Sequence, residues 1–238
     1  MPWLTHTAKN DVVAQICDRI WLAVVQRTLR PGARLKEEEL AEIFGVTRAR
    51  VRQALVLLEQ DGLVSLVPNR GACIAEPSVE EAQDAFSARL LIEQRLVARL
   101  CARVTDAQLD QLRDHIARER SAHEMGDSEA VIRLSGEFHM LIARMTEAEL
   151  LFKILRTLTI RTSLITAMYQ TQATQTCGPD EHARILAAIA ARDEARACAE
   201  MTHHLNHLES ALRLSESDRP VSELREALLG AGQRAKTG

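Results

Sequence analysis

Three histidines of this chain fall on apolar helix faces, and imidazole is the side chain most often used to hold a metal ion at neutral pH. At about 100° per residue, Val131, Leu134, Phe138, Leu141, Ile142 and Met145 form one stripe, with Ser135 and His139 along one edge. His182 aligns with Ile185, Leu186 and Ile189. His204 lies close to the stripe of Met201, Leu205, Leu208 and Leu212, whereas His203 points away and His207 is intermediate. Imidazoles converging from three helices can make a facial metal site with positions open to water or a ligand. Two arginines share such faces: Arg89, with Glu93, among Phe86, Leu90, Val97 and Leu100, and Arg161 among Ile154, Leu155, Leu158 and Ile165. Either could receive a carboxylate bidentately. The same residues have a plainer reading, in which each histidine is a hydrogen-bonded core residue and Arg89–Glu93 an i,i+4 ion pair.

A second constellation is cationic. In the stretch TRARVRQALVLLEQDG, residues 47–62, Val51, Ala54, Leu55 and Leu58 recur at helical spacing, so Arg48 and Arg52 share a face of the first turns. Thr47 is placed to cap this helix and Gly62 to end it. A shorter helix, EEELAEIF at 37–44, precedes it across Gly45-Val46. Two helices on a tight glycine turn form a helix-turn-helix, whose second helix can lead into the DNA major groove. After Gly62 the period changes to two, through 64–67 and 72–75 around Pro68-Asn69-Arg70-Gly71, which predicts a β-hairpin with an arginine at its tip. Helix-turn-helix plus hairpin is a winged helix. Arg48, Arg50, Arg52 and Arg70 are offset by Glu37, Glu38, Glu39 and Glu42, but the acids lie on the first helix of the motif and the arginines on the second and the wing. Phosphate attraction depends on that local placement and not on the net charge of −3.

The rest of the chain must position these groups. With 238 residues, 46% hydrophobic and only 3% aromatic, it can build an aliphatic core, and strand-like runs are confined to the wing. The expected fold is mainly α: a winged domain at 10–76, an all-helical six-helix domain at 78–215 and a polar tail at 216–238. A first helix runs from about 10 to 29; Arg34-Leu35 leads into the next. The six later stretches are 79–103, 106–125, 128–145, 147–171, 180–191 and 194–214, with capping boxes expected at Ser78–Glu81, Thr105–Gln108 and Thr146–Glu149. Five scattered cysteines without a CxxC support neither a disulfide framework nor a zinc finger, and Cys177 reads as a loop thiol. No apolar run nears the roughly 20 residues that span a bilayer. MPWLTHTAKND lacks a signal-peptide core, so the expected location is the cytoplasm. There is no nucleotide-binding glycine loop, nucleophile elbow or HExxH, hence no catalytic residue to name. A metal-dependent enzyme on the helical domain would have only Glu93 and Glu181 as general acid or base.

Val46-Thr47-Arg48-Ala49-Arg50-Val51-Arg52-Gln53-Ala54-Leu55, Leu58-Glu59, Asp61-Gly62-Leu63-Val64 and Pro68-Asn69-Arg70-Gly71-Ala72 resemble the winged-helix segment of GntR-family transcription regulators. Arg89-x-x-Ile92-Glu93, Phe138-His139, Arg161–Ile165, Glu181-His182 and Met201-x-x-His204-Leu205 resemble its FadR-type subgroup with an FCD ligand-binding domain. The resemblance covers about residues 10–214. It implies a homodimer on a short palindromic operator, with Arg48, Arg50 and Arg52 at bases or phosphates, Thr47 on the backbone and Arg70 and Gly71 at the wing tip. It further implies a divalent metal, zinc or nickel, on His139, His182 and His204, and a small carboxylate effector near Arg89, Ser135 and Arg161. The implied activity is a ligand-responsive regulator, usually a repressor; an architectural DNA binder with a vestigial pocket is the other binding reading. Two departures stand out. Ala49-Arg50 and Gln53 replace the family's Thr-Pro and Glu, which suggests an altered base preference or an added phosphate contact. Ser135 stands where the family places a metal-binding Asp. Either three histidines bind metal with solvent or effector completing the shell, or the pocket works without it.

Overall fold

The computed structural model describes residues 11–67, 71–169 and 178–212, so the expectations for Arg70, Cys177 and the polar tail lie outside the described residues. Of these residues, 11–79 with 160–169 form one compact unit and 80–159 with 178–212 another. The chain is mainly α-helical, as composition implied.

In the first unit, helix α1 (Val12–Val25) starts where the Asp11 side chain accepts a bond from the Val13 N–H at 2.9 Å. Its buried Val13, Ile16, Ile20 and Val24 pack behind α3 (Arg48–Gln60), whose buried stripe is Val51, Ala54, Leu55 and Leu58. Helix α2 (Glu37–Phe44) precedes α3. Both helices of the motif end on glycines in the left-handed region, Gly45 at φ 63° and Gly62 at φ 74°. Each lets the next N–H turn back onto the helix: Val46 to Ala41 at 3.0 Å and Leu63 to Leu58 at 2.9 Å. Thr47 has the extended backbone of an N-cap, but its exposed side chain makes no capping bond, contrary to expectation. The hairpin pairs β2 (Val64–Val67) with β3 (Gly71–Ile74), Val67 opposite Gly71. Arg34–Leu35 is not merely a lead-in: it forms β1, antiparallel to β3, and completes a three-stranded sheet in the order β1-β3-β2. Two residues are too short to show a period. Their pairing covers the edge that β3 would otherwise expose.

The second unit holds α4 (Val79–Cys101, from Glu80), α5 (Asp106–Glu124), α6 (Ser128–Met145), the first half of α7 (Glu149–Tyr169), α8 (Pro179–Ala190) and α9 (Glu194–Ser210). Thr105 and Gln108 make the expected reciprocal capping box at α5. The box expected at Thr146 is absent. That residue ends α6, with its hydroxyl donating to the Ala143 carbonyl at 2.7 Å, and Glu147 turns through φ 55° before α7 starts. The stripe expected on α7 is also rotated: Ile154 is 40% exposed, and the buried side is Leu155, Thr159, Ile160, Thr162, Leu164 and Ile165. Helix α5 packs on α6 and α8, and α8 on α9, which brings the faces carrying histidine together. No helix among the described residues is long and apolar enough to cross a membrane.

Candidate metal centre and nucleic-acid interface

Helix α6 delivers His139, α8 His182 and α9 His204, and all three rings are buried, with 1%, 1% and 0% exposure. Each can offer one ring nitrogen, and these nitrogens lie within 4.8 Å of one another. The orientation of each ring is set by its own carboxylate. His139 Nδ1 bonds to Glu93 of α4, His182 Nδ1 sits 2.9 Å from both oxygens of Glu119 on α5, and His204 Nδ1 sits 2.9 Å from Glu181 on α8. An ionised carboxylate only accepts, so each Nδ1 carries a proton, and in a neutral ring Nε2 then keeps its lone pair. Those lone pairs turn inward: the Nε2 atoms of His139 and His204 are 3.1 Å apart, and His182 Nε2 is a buried atom with no hydrogen-bond partner. Leaving such an atom unsatisfied costs about 1–3 kcal/mol. Three buried ring nitrogens within 4.8 Å of one another, each ring backed by a carboxylate, make a donor set that suits a divalent cation. The residues present therefore fit a metal ion.

Phe138 stacks on the His182 ring at 4.0 Å between centroids and keeps one side of the cluster apolar. Burial, with the Arg89 charge and the neighbouring imidazoles, pushes His139 down to about 4 and His204 to about 3, so both rings are neutral at neutral pH. Burial works against the charge on Glu93, but the attraction of His139 and Arg89 and their hydrogen bonds outweigh it and hold the carboxyl well below its usual range. Glu119 is likewise held low against burial, by its neighbours His115 and His182.

Glu119 and His115 were not singled out from the sequence. Their signal was there, because Leu109, Leu112, His115, Ile116 and Glu119 fall on one face of α5, and all five are buried. His115 Nε2 donates to the Leu134 carbonyl at 2.9 Å, and its Nδ1 takes a bond from Arg118 at 2.9 Å. Ser135 is half-buried one turn before His139.

Arg89 and Arg161 fall in different units. Arg89 is buried, and its Nε donates to Glu93 at 2.5 Å, so it acts within the carboxylate shell as the i,i+4 pair. Arg161 belongs to the first unit, where its Nη1 lies only 2.6 Å from the place a Cβ on Gly62 would occupy. A guanidinium against the last turn of α3 faces the negative end of that helix.

On the motif itself, Thr47, Arg48, Arg50 and Arg52 are exposed at the start of α3. Arg52 is gripped by Glu37 of α2, Nε to Oε1 at 2.9 Å and Nη2 to Oε2 at 2.6 Å. Arg48 reaches Glu38 at 2.7 Å, while Arg50 reaches Gln53 at 3.2 Å. Gly71 opens β3, exposed, with φ 78°.

Comparison with known proteins agrees with both halves. The model for bacterial regulatory proteins of the gntR family matches residues 11–74, and the FCD domain model matches residues 84–207. The chain is similar to the HTH-type transcriptional repressor RspR of Escherichia coli, 25% identical over 80% of this chain and 84% of that one. It is also similar to the Nta operon transcriptional regulator of Aminobacter aminovorans, 27% identical over 78% and 87% of the two chains. In fold it resembles E. coli McbR/YncC, with a TM-score of 0.72 at 21% identity over 84% of this chain and 96% of that one. These relatives are regulators and not enzymes, which removes the metal-dependent enzyme from consideration. The chain belongs to the GntR family of bacterial transcriptional regulators, with a DNA-binding helix-turn-helix followed by an FCD domain.

Proposed function

We propose that this regulator is a homodimeric repressor of a palindromic operator, and that a small carboxylate bound at a divalent metal in the helical unit sets its operator affinity. The observation that carries the reading is the buried triad of His139, His182 and His204 with inward lone pairs, each ring aligned by its own carboxylate. Such a construction is more than a hydrogen-bonded core needs, since it leaves His182 Nε2 without a partner. When bound, a zinc or nickel ion there would supply a Lewis acid with positions for an anionic oxygen. With Ser135 in place of Asp, imidazoles alone would hold the ion and none brings a negative charge, which favours an effector that brings its own carboxylate. Repression is taken from the similarity to RspR, named a repressor. Arg48, Arg50 and Arg52, with Thr47, are the groups we assign to DNA, with Gly71 at the wing.

The test is operator affinity, using a duplex selected by the protein from a random pool. Metal-loaded protein titrated with small hydroxy- and dicarboxylates should change its affinity by at least about fivefold with one of them, the scale of ordinary coupling. The chelator-treated protein should lose that response. A response to none, in either form, would favour the architectural reading. In the same assay Arg52→Ala should weaken operator binding by more than about tenfold and relax the preference at one base pair, as expected for loss of a base contact. Unchanged affinity and preference would remove Arg52 from the interface.

A further inference from the structure

We propose that Glu37 is a specificity-determining residue, which fixes the guanidinium of Arg52 so that its remaining edge reads a guanine and not a phosphate. The inference rests on the assignment of Arg52 to base contact. A guanidinium has two edges that can bind a pair of acceptors. Glu37 takes one of them, through Nε at 2.9 Å and Nη2 at 2.6 Å. The other edge, Nη1 with the outer hydrogen of Nη2, is left on a side chain that is 63% exposed. That edge has the spacing for O6 and N7 of guanine, the commonest specific contact in the major groove. The carboxylate is itself well placed to act as a fixed support. Glu37 is only 26% exposed, it stands in the first turn of α2, and its pKa is lowered chiefly by the hydrogen bond from Arg52. Arg48 lies 3.7 Å from the same Glu37 oxygen, so one carboxylate serves both arginines of the shared face.

The second consequence is electrostatic. Two arginines paired with Glu37 and Glu38 present little net charge to a phosphate backbone, so binding without sequence match gains little from counterion release. A base-edge contact needs the orientation and not the net charge. Glu37 thereby suppresses random binding while preserving readout.

The experiment compares full-length protein with Glu37→Gln, Glu38→Gln and Arg52→Ala, on the selected operator and on a random-sequence duplex, across salt concentrations. Glu37→Gln keeps the shape but loses the charge and the second acceptor. It should tighten random binding, steepen the salt dependence by about one phosphate contact, and lower the operator-to-random ratio at least about tenfold. It should also relax the preference at the same base pair as Arg52→Ala. Glu38→Gln removes an equal charge from a residue that pairs with Arg48, so it should leave that base preference intact. If Glu37→Gln leaves the ratio and preference unchanged while Arg52→Ala alters them, the positioning role is wrong and the Arg52 contact stands. Equal relaxation by Glu38→Gln would also overturn it, because charge alone would then explain the effect. No effect of Arg52→Ala would overturn both.

Discussion

Replacing Arg89 with methionine is expected to lower the unfolding free energy of the helical unit by about 3–5 kcal/mol, the range for breaking a buried ion pair from one side. Arg89 and Glu93 are 5% and 2% exposed, so water cannot take over when the guanidinium is removed. Glu93 would be left with its His139 bond alone, as a buried anion or as a carboxyl forced to take up a proton. The double replacement Arg89→Met with Glu93→Gln should recover more than half of the loss, because no uncompensated charge remains. Urea denaturation of chelator-treated protein at pH 7 measures both. A loss below about 1 kcal/mol, the value typical of surface pairs, would mean that the carboxylate shell is solvated.

The metal-free protein should also lose stability on acidification, beginning near pH 6.5. His139 and His204 titrate at about 4 and about 3 in the folded chain, against 6.5 when free. Below pH 6.5 the unfolded chain therefore binds more protons than the folded one, and stability falls as pH falls until the folded values are reached. Two such groups give a loss on the order of 3 kcal/mol between pH 7 and pH 5. Glu93 and Glu119, both held low in the fold, act in the same direction. Their contribution is complete above their free value of 4.5 and is lost below it. Chemical denaturation at pH 7, 6 and 5 would show the slope; a flat profile would mean that the imidazoles are not buried neutral.

The helix faces carried most of what could be read in advance. His139, His182 and His204 could be placed on a common interior because each sits in a strongly periodic apolar stripe, and a helical period fixes direction. Its partner carboxylates were harder. Glu93 and Glu181 adjoin recognised motif residues, but Glu119 is on α5, a helix so rich in charge that its narrow buried face is easily overlooked. The α7 stripe was harder to read, because that helix is apolar on more than one side and its buried threonines, Thr159 and Thr162, gave no contrast. At Thr146 the local pattern was ambiguous: the residue suits a cap, but its hydroxyl closes the preceding helix instead. Strand β1 gains its structure from pairing with a segment about 40 residues away, which local sequence does not encode. The grip of Glu37 on Arg52 likewise crosses the turn between two helices.

The most direct test is the metal content of protein purified without chelator, by elemental analysis, beside His182→Ala. One equivalent of a divalent ion, zinc or nickel, per chain is expected, with loss of that ion in the variant. It would mean that three imidazoles backed by Glu93, Glu119 and Glu181 hold metal although Ser135 supplies no charge. No metal in the native protein, even after incubation with excess zinc or nickel, would contradict it.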